Sequence, residues 1–242
     1  EVVGGTESVT VTVQQHPIPT AQIALYLFHD NFPVNGAPDL PEEENPLPGD
    51  PGHVDWTQFS VLVEEPAGRY GIAGGQVIQD AFGNPLGTTY NPNGSVLSLG
   101  DGTLQPQADG TLLIKNLAPG KYGILIIPPT GSNWQQTSTI EGSPVIDAWV
   151  KANEPPFFVE FGPPGPHVFM GFVQPFNNLS AASGATLSGT ITDMHMSRPP
   201  NFEFFSGRPF PGCWVAVNEA NPAGLGAGLY AGPCDGNSDF SI

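Results

Sequence analysis

The sequence predicts an all-β protein, and three observations carry that prediction. Short runs rich in Val, Ile, Phe and Tyr recur along the chain, several alternating apolar with polar residues, the period of a strand with one face in a core. The 31 glycines and 28 prolines among 242 residues fall between those runs, where turns need positive φ or a fixed φ. No stretch of useful length carries the 3.6-residue periodicity of an amphipathic helix.

In chain order, Ser8–Val13 alternates Val with Ser and Thr and reads as a half-buried strand. Ala21–Phe28, AQIALYLF, is a second and more hydrophobic strand. A long acidic, proline-rich loop follows from His29 to Asp55, and FSVLVE at Phe59–Glu64 resumes the sheet. Gly and Asn dominate from Ala67 to Asp101, with short strands at Gln76–Ile78 and Ser95–Leu99. Between them Asp80–Leu86 reads as a turn in which Gly83 and Asn84 tolerate positive φ. The stretch Asp109–Pro129, DGTLLIKNLAPGKYGILIIPP, holds two apolar runs, Leu112–Ile114 and Tyr122–Ile127. It reads as an antiparallel hairpin opened by Asp109-Gly110 and closed by Pro128-Pro129, with Leu117 pinning its turn to the core. Further strands are expected at Trp134–Ile140, Val145–Val150, Phe157–Phe161 and Val168–Val173, completing a first unit over residues 1–175. Residues 176–184 are polar and read as a linker. Residues 185–242 form a second unit, with strands at Thr186–Asp193 and Trp214–Val217 and a last one beginning at Asp239–Ile242. There is no exact internal repeat, although DGTLLI and DGNSDFSI echo one another.

Charge narrows the function classes. Six Lys+Arg against 23 Asp+Glu leave a net charge of −17, which argues against nucleic acid and anionic membrane surfaces as partners. No apolar run is long enough to span a membrane, and EVVGGTESVTVTV shows no charged-then-apolar leader. Low Lys content and the two cysteines, Cys213 and Cys234, fit one disulfide in a secreted or cell-surface protein; two reduced buried thiols are the alternative.

The segments GGQVIQDAFGNPLGT (74–88) and ADGTLLIKNLAPGKYGILIIPP (108–129) resemble the prealbumin-like modules of bacterial surface proteins. These are the SdrD B-like and Cna B-type domains and the related carboxypeptidase regulatory-like domain. The shared pattern is a DG turn, a strand, then an aliphatic-Pro-Gly-x-Tyr turn, here Asp109-Gly110, Leu112–Ile114, Leu117, Pro119-Gly120 and Tyr122. LSGTITD (187–193) and FPGCWVAVNEA (210–220) look like the first strands of another such module. The resemblance implies a prealbumin-like, Ig-like β-sandwich with large loop insertions, followed by a second, incomplete β-sandwich module. An incomplete sandwich leaves an open edge that invites a strand from a neighbour, with Val9–Val13 or Phe240–Ile242 as the exchanged element.

The resemblance also implies a calcium loop after the first long strand. Asp30, Asn35, Asp39 and Glu42 approximate its spacing, with hard oxygen ligands and Gly36 for the sharp turn, while Phe32-Pro33 interrupts the pattern. His195 between Met194 and Met196 reads as packing, and His16, His29, His53 and His167 are isolated in sequence. No G-x-S-x-G, HExxH or Cys/His pairing is present, and the acids Glu64, Glu65, Glu141, Asp147 and Glu160 do not by themselves define a glycosidase pair. Trp56, Trp134, Trp149 and Trp214, with Tyr70 and Tyr90, read first as core residues and second as a sugar-binding face. Phe202, Phe204 and Phe205 suit a contact with another domain.

The expectation is therefore an extracellular, non-enzymatic structural module: a stalk, scaffold or filament subunit whose partners are neighbouring copies or domains of a surface assembly. The alternative is a carbohydrate- or protein-binding accessory module of a secreted adhesin or enzyme.

Overall fold

The computed structural model describes residues 19–65, 75–139, 143–157, 165–180, 184–193, 208–221 and 224–242. The expected strands at Ser8–Val13 and most of Phe157–Phe161 lie outside the described residues. So do His16, Tyr70, Glu141, Glu160, His195 and the Phe202–Phe205 group.

Among the described residues, nine strands build the first unit: β1 (Ala21–His29), β2 (Ser60–Glu64), β3 (Thr89–Tyr90), β4 (Val96–Ser98), β5 (Thr111–Leu117), β6 (Gly120–Ile127), β7 (Gln135–Gln136), β8 (Ile146–Val150) and β9 (Val168–Val173). A four-stranded sheet of order β5-β1-β9-β7 faces a three-stranded sheet of order β2-β6-β8, and β3 and β4 form a separate ribbon. The chain is all-β, a β-sandwich elaborated by long loops.

The core lies between the two sheets. Ile23, Leu25 and Leu27 of β1 meet Val61 and Val63 of β2, Ile124 and Ile126 of β6, and Met170 and Phe172 of β9. Trp56 closes one end, on a single 3-10 turn (Trp56–Gln58) capped by Asp55, and its ring lies 4.9 Å from Phe59. β1 runs up the middle of its sheet, antiparallel to β5 and parallel to β9. That position explains its nearly continuous apolar sequence, because Ala24 and Phe28 are buried on the face away from the sandwich core.

The stretch expected to be a hairpin is not one. Its two runs do become strands, but β5 pairs with β1 while β6 pairs with β2 and β8, so the chain crosses from one sheet to the other. The reason is burial on both sides of the corner. Ile114 and Leu117 face the core from one sheet, Ile124 and Ile126 from the other, and flat pairing would leave those faces without partners. Leu117 is 1% exposed, so the expected pin holds. Asn116 takes the left-handed conformation at the bend (φ 61°), and the Tyr122 hydroxyl donates to the Ala118 carbonyl at 2.7 Å.

The second unit contains β10 (Phe176–Asn177), β11 (Ser188–Thr190), β12 (Thr192–Asp193), β13 (Arg208–Pro209), β14 (Trp214–Asn221), β15 (Gly224–Pro233) and β16 (Asp239–Ser241). β10-β15-β14 form one sheet, and β11-β16 and β12-β13 form two ribbons. Phe176–Asn177, within the expected linker, thus belongs to a sheet of this unit. The Phe240–Ile242 end, expected as an element for exchange, is already paired in its own chain: Ile242 and Leu187 exchange backbone hydrogen bonds at 2.8 Å. Cys213 and Cys234 form a disulfide with Cα atoms 5.5 Å apart, tying the start of β14 to the residue after β15.

Candidate functional site: the acidic loop and the aromatic surfaces

The acidic loop is organised by a residue the spacing argument passed over. Glu43, 2% exposed, turns inward, and its Oε1 accepts from the backbone N–H groups of Asn31 and of Phe32 (3.1 Å). Its Oε2 accepts from Asp39 N at 2.7 Å. One carboxylate therefore closes the loop on three backbone donors, as an acceptor at a helix N-cap does. The chain turns helically here, with Glu43 N donating to Asp39 O, so adjacent acids point in very different directions. Glu43 lands inside and Glu42 outside.

Asp30 is fully buried; its Oδ1 accepts from Phe32 N at 3.1 Å and its Oδ2 accepts from the Thr137 hydroxyl. Next to Thr137, Ser138 donates from Oγ to Gly36 O and accepts from Gly171 N at 3.0 Å. Gly171 has no room for a side chain, since a Cβ would lie 2.5 Å from Thr137 Oγ1 and 2.7 Å from the Phe28 ring. The loop is thus fastened to β9 and to the segment following β7. Burial pushes Glu43 up to about 7, with the charge of Asp30 adding to it and the three backbone donors opposing it. Burial likewise raises Asp30 above the usual carboxylate range, and Asp39 adds to that shift.

Of the four residues expected to bind calcium, Asn35 and Asp39 are together, with the Asn35 amide donating to Asp39 Oδ2 at 3.0 Å. Asn35 Oδ1 accepts from Ala37 N at 3.1 Å. Asp30 faces Thr137 in the interior, and Glu42 is on the surface. Among the described residues, no three His, Cys, Asp or Glu side chains are grouped to hold a metal ion. Glu43, Asn35 and Asp30 Oδ1 accept from the loop's own N–H groups, and the four expected ligands are not grouped at one point.

The remaining titratable groups are scattered. His29 is pushed down by burial and meets Trp134 edge-on at 5.1 Å. His167 Nδ1 accepts from Ala24 N at 3.0 Å, and its Nε2 lies 3.5 Å from Glu154. His53 contacts Pro46 O through Nδ1 at 2.7 Å. Asp147 is ion-paired with Lys121 at 2.5 Å on the outer face of the three-stranded sheet.

The four tryptophans separate into two kinds. Trp56 and Trp134 belong to the core cluster, their rings 6.0 Å apart. Trp149 is 71% exposed, with the Lys121 ammonium 5.4 Å from its ring. Trp214 is half-buried in a cleft between the two units. Tyr90 meets Phe82 at 5.0 Å and donates its hydroxyl to Asp80, whose Oδ1 accepts from Phe82 N and Asn84 N at 2.9 and 3.0 Å. That network holds the expected turn, with Gly83 at φ 81°.

No protein-family model matches the chain, and no curated protein matches it in sequence. Among solved structures, a streptococcal ancillary pilin is similar at a TM-score of 0.29 and 8% identity, over 98% of this chain and 54% of that one. The chain thus spans about half the length of that pilin, and a TM-score so low carries no argument about shared fold or role. No helix among the described residues is long and apolar enough to cross a membrane.

Proposed function

We propose that the chain is an extracellular or cell-surface structural module, a stalk or scaffold segment that holds its neighbours at a distance and carries load. One observation carries the reading: the buried acids are spent on the protein's own backbone. Asp30 and Glu43 close and anchor a loop, Asp30 holding the Thr137 hydroxyl, and neither meets a base or a third metal ligand among the described residues. Polar groups used this way rigidify a fold and offer little to a substrate. The sequence resemblance to prealbumin-like surface modules, the disulfide and the strongly acidic, low-lysine composition support the same reading. In this proposal the loop is stiff without calcium, the module is not catalytic, and neighbouring copies or domains are its partners.

Surface labelling of intact source cells with a membrane-impermeant reagent tests the location. Labelling of this chain without lysis is the expected result, and protection until lysis would contradict the proposal. For the calcium-free loop, chelator should leave the melting temperature unchanged, and a drop of several degrees would overturn that part.

A second reading, an accessory module that binds carbohydrate, is favoured by the two tryptophans outside the core, Trp149 and Trp214.

A further inference from the structure

We propose that the cleft between the two units, walled by Trp214 and Phe210 on one side and Gln135 and Gln136 on the other, binds a neutral sugar. The cleft has a volume of about 310 Å³, at the lower end of what small-molecule sites occupy, and inter-unit clefts are where such sites tend to form. It rests on the carbohydrate reading above and names where that binding takes place.

Three features select the ligand class. The first is charge: the chain carries 23 Asp+Glu, yet none of the described residues lining the cleft is ionisable. A charged ligand would enter without a counter-charge, and burying an unpaired ion is costly. The second is two-sidedness. Trp214, Phe210 and Ile191 supply an apolar, aromatic wall, while Gln135, Gln136 and Thr139 supply amides and a hydroxyl. A pyranose matches this division, with C–H groups on one face to lie against an aromatic ring and O–H groups on its rim to exchange hydrogen bonds with amides. A wholly apolar ligand would cover the side-chain oxygens of Gln135 and Gln136 without giving them a donor, and a wholly polar one would gain nothing from Trp214.

The third feature is that the amide side chains and the backbone of the aromatic wall are already set. The Gln136 amide donates to Ser138 O at 2.6 Å and to Pro144 O at 3.0 Å, and the Gln135 amide donates to Gln136 O at 3.3 Å. On the other side Trp214 pairs with Pro233 in the β14–β15 ladder and follows the disulfide-bonded Cys213. Side chains held before binding lose little entropy on binding. Trp149, by contrast, is exposed on a sheet face with the Lys121–Asp147 ion pair beside it and, among the described residues, is part of no such cleft.

The test is titration of the full chain with a panel of neutral mono- and disaccharides and the matching uronic acids, followed by ligand-observed NMR and tryptophan fluorescence. At least one neutral sugar should bind with a Kd of about 0.1–1 mM, a range typical of weak specific ligands, with its uronic acid about 10-fold weaker. Trp214→Ala and Gln135→Ala should each weaken binding about 10-fold, and Trp149→Ala should leave it unchanged. Trp214 neighbours the disulfide, so Gln135→Ala, on the opposite wall, decides the matter if Trp214→Ala fails to fold. Binding that survives Gln135→Ala and Trp214→Ala but is lost in Trp149→Ala overturns the cleft and leaves the carbohydrate reading standing. No binding by any sugar overturns both.

Discussion

The two units of this chain are both built from short strands and turns, yet they are held together differently. The first has a continuous core in which Phe59, Phe172, Met170, Ile124 and Leu27 are 1% exposed or less. In the second, Cys213 and Ala231 are the buried apolar side chains among the described residues, and Cys213 is half of a disulfide. The first unit draws its stability from removing apolar surface from water. The described residues of the second bury little apolar surface, and there a covalent link restricts the unfolded state. A strand pattern alone therefore does not reveal how a β unit is stabilised; the count of large inward side chains does.

Core truncation should sharpen this contrast most. Phe59→Ala in the first unit should cost about 3–5 kcal/mol, whereas Val217→Ala, half-buried in β14, should cost about 1 kcal/mol or less. Denaturant unfolding monitored by fluorescence measures both, and equal costs would break the distinction. The reverse asymmetry should appear on removing the disulfide. Replacing Cys213 and Cys234 with Ser should destabilise the second unit by about 3 kcal/mol for a link spanning 21 residues, while the first unit's transition stays in place.

A smaller effect distinguishes the units by pH. Glu43 and Asp30 are raised above their ordinary values, so the native loop holds protons more tightly than the unfolded chain. Glu43's contribution is complete below about pH 4.5 and is lost as pH rises through about 7, a change on the order of 2 kcal/mol confined to the first unit, and Asp30's is lost in the same direction. Glu43→Gln should flatten that slope, and amide exchange of the loop between pH 5 and 8 reads it. The smallest contrast lies between neighbours. Glu43→Ala should cost about 1–3 kcal/mol, because Asn31, Phe32 and Asp39 lose their acceptor. Glu42→Ala, on the surface, should fall within about 0.5 kcal/mol of zero. If Glu42→Ala proved the costlier change, the arrangement of the loop would be wrong.

Much of the fold was legible in the sequence, and the gaps have physical causes. Alternation and apolar runs located β1, β2, β6, β8 and β9 to within a residue or two. They could not say which strands pair, because a period of two fixes a face and leaves the partner open. Hence β5 and β6 read as a hairpin although they lie in different sheets. β15, Gly224–Pro233, went unread because its glycines mask the strand pattern; Gly228 is required by close approach, since a Cβ there would lie 2.5 Å from Asn31 O. In the acidic loop the composition was informative and the phase was not. Choosing Glu43 over Glu42 required knowing that residues 39–43 turn helically. The sorting of the tryptophans was equally out of reach, because burial depends on packing across the whole chain.

Single-molecule stretching of the chain, with and without reductant, tests the central claim most directly, since a load-bearing module must resist force and its two units must resist it by different means. The second unit should yield first, and reductant should lengthen its unfolding step by about 70 Å, the span of the roughly 20 residues enclosed by the disulfide at ~3.5 Å each, while the first unit's step is unchanged. A single cooperative rupture at low force, or a reductant effect on the first unit, would contradict the account.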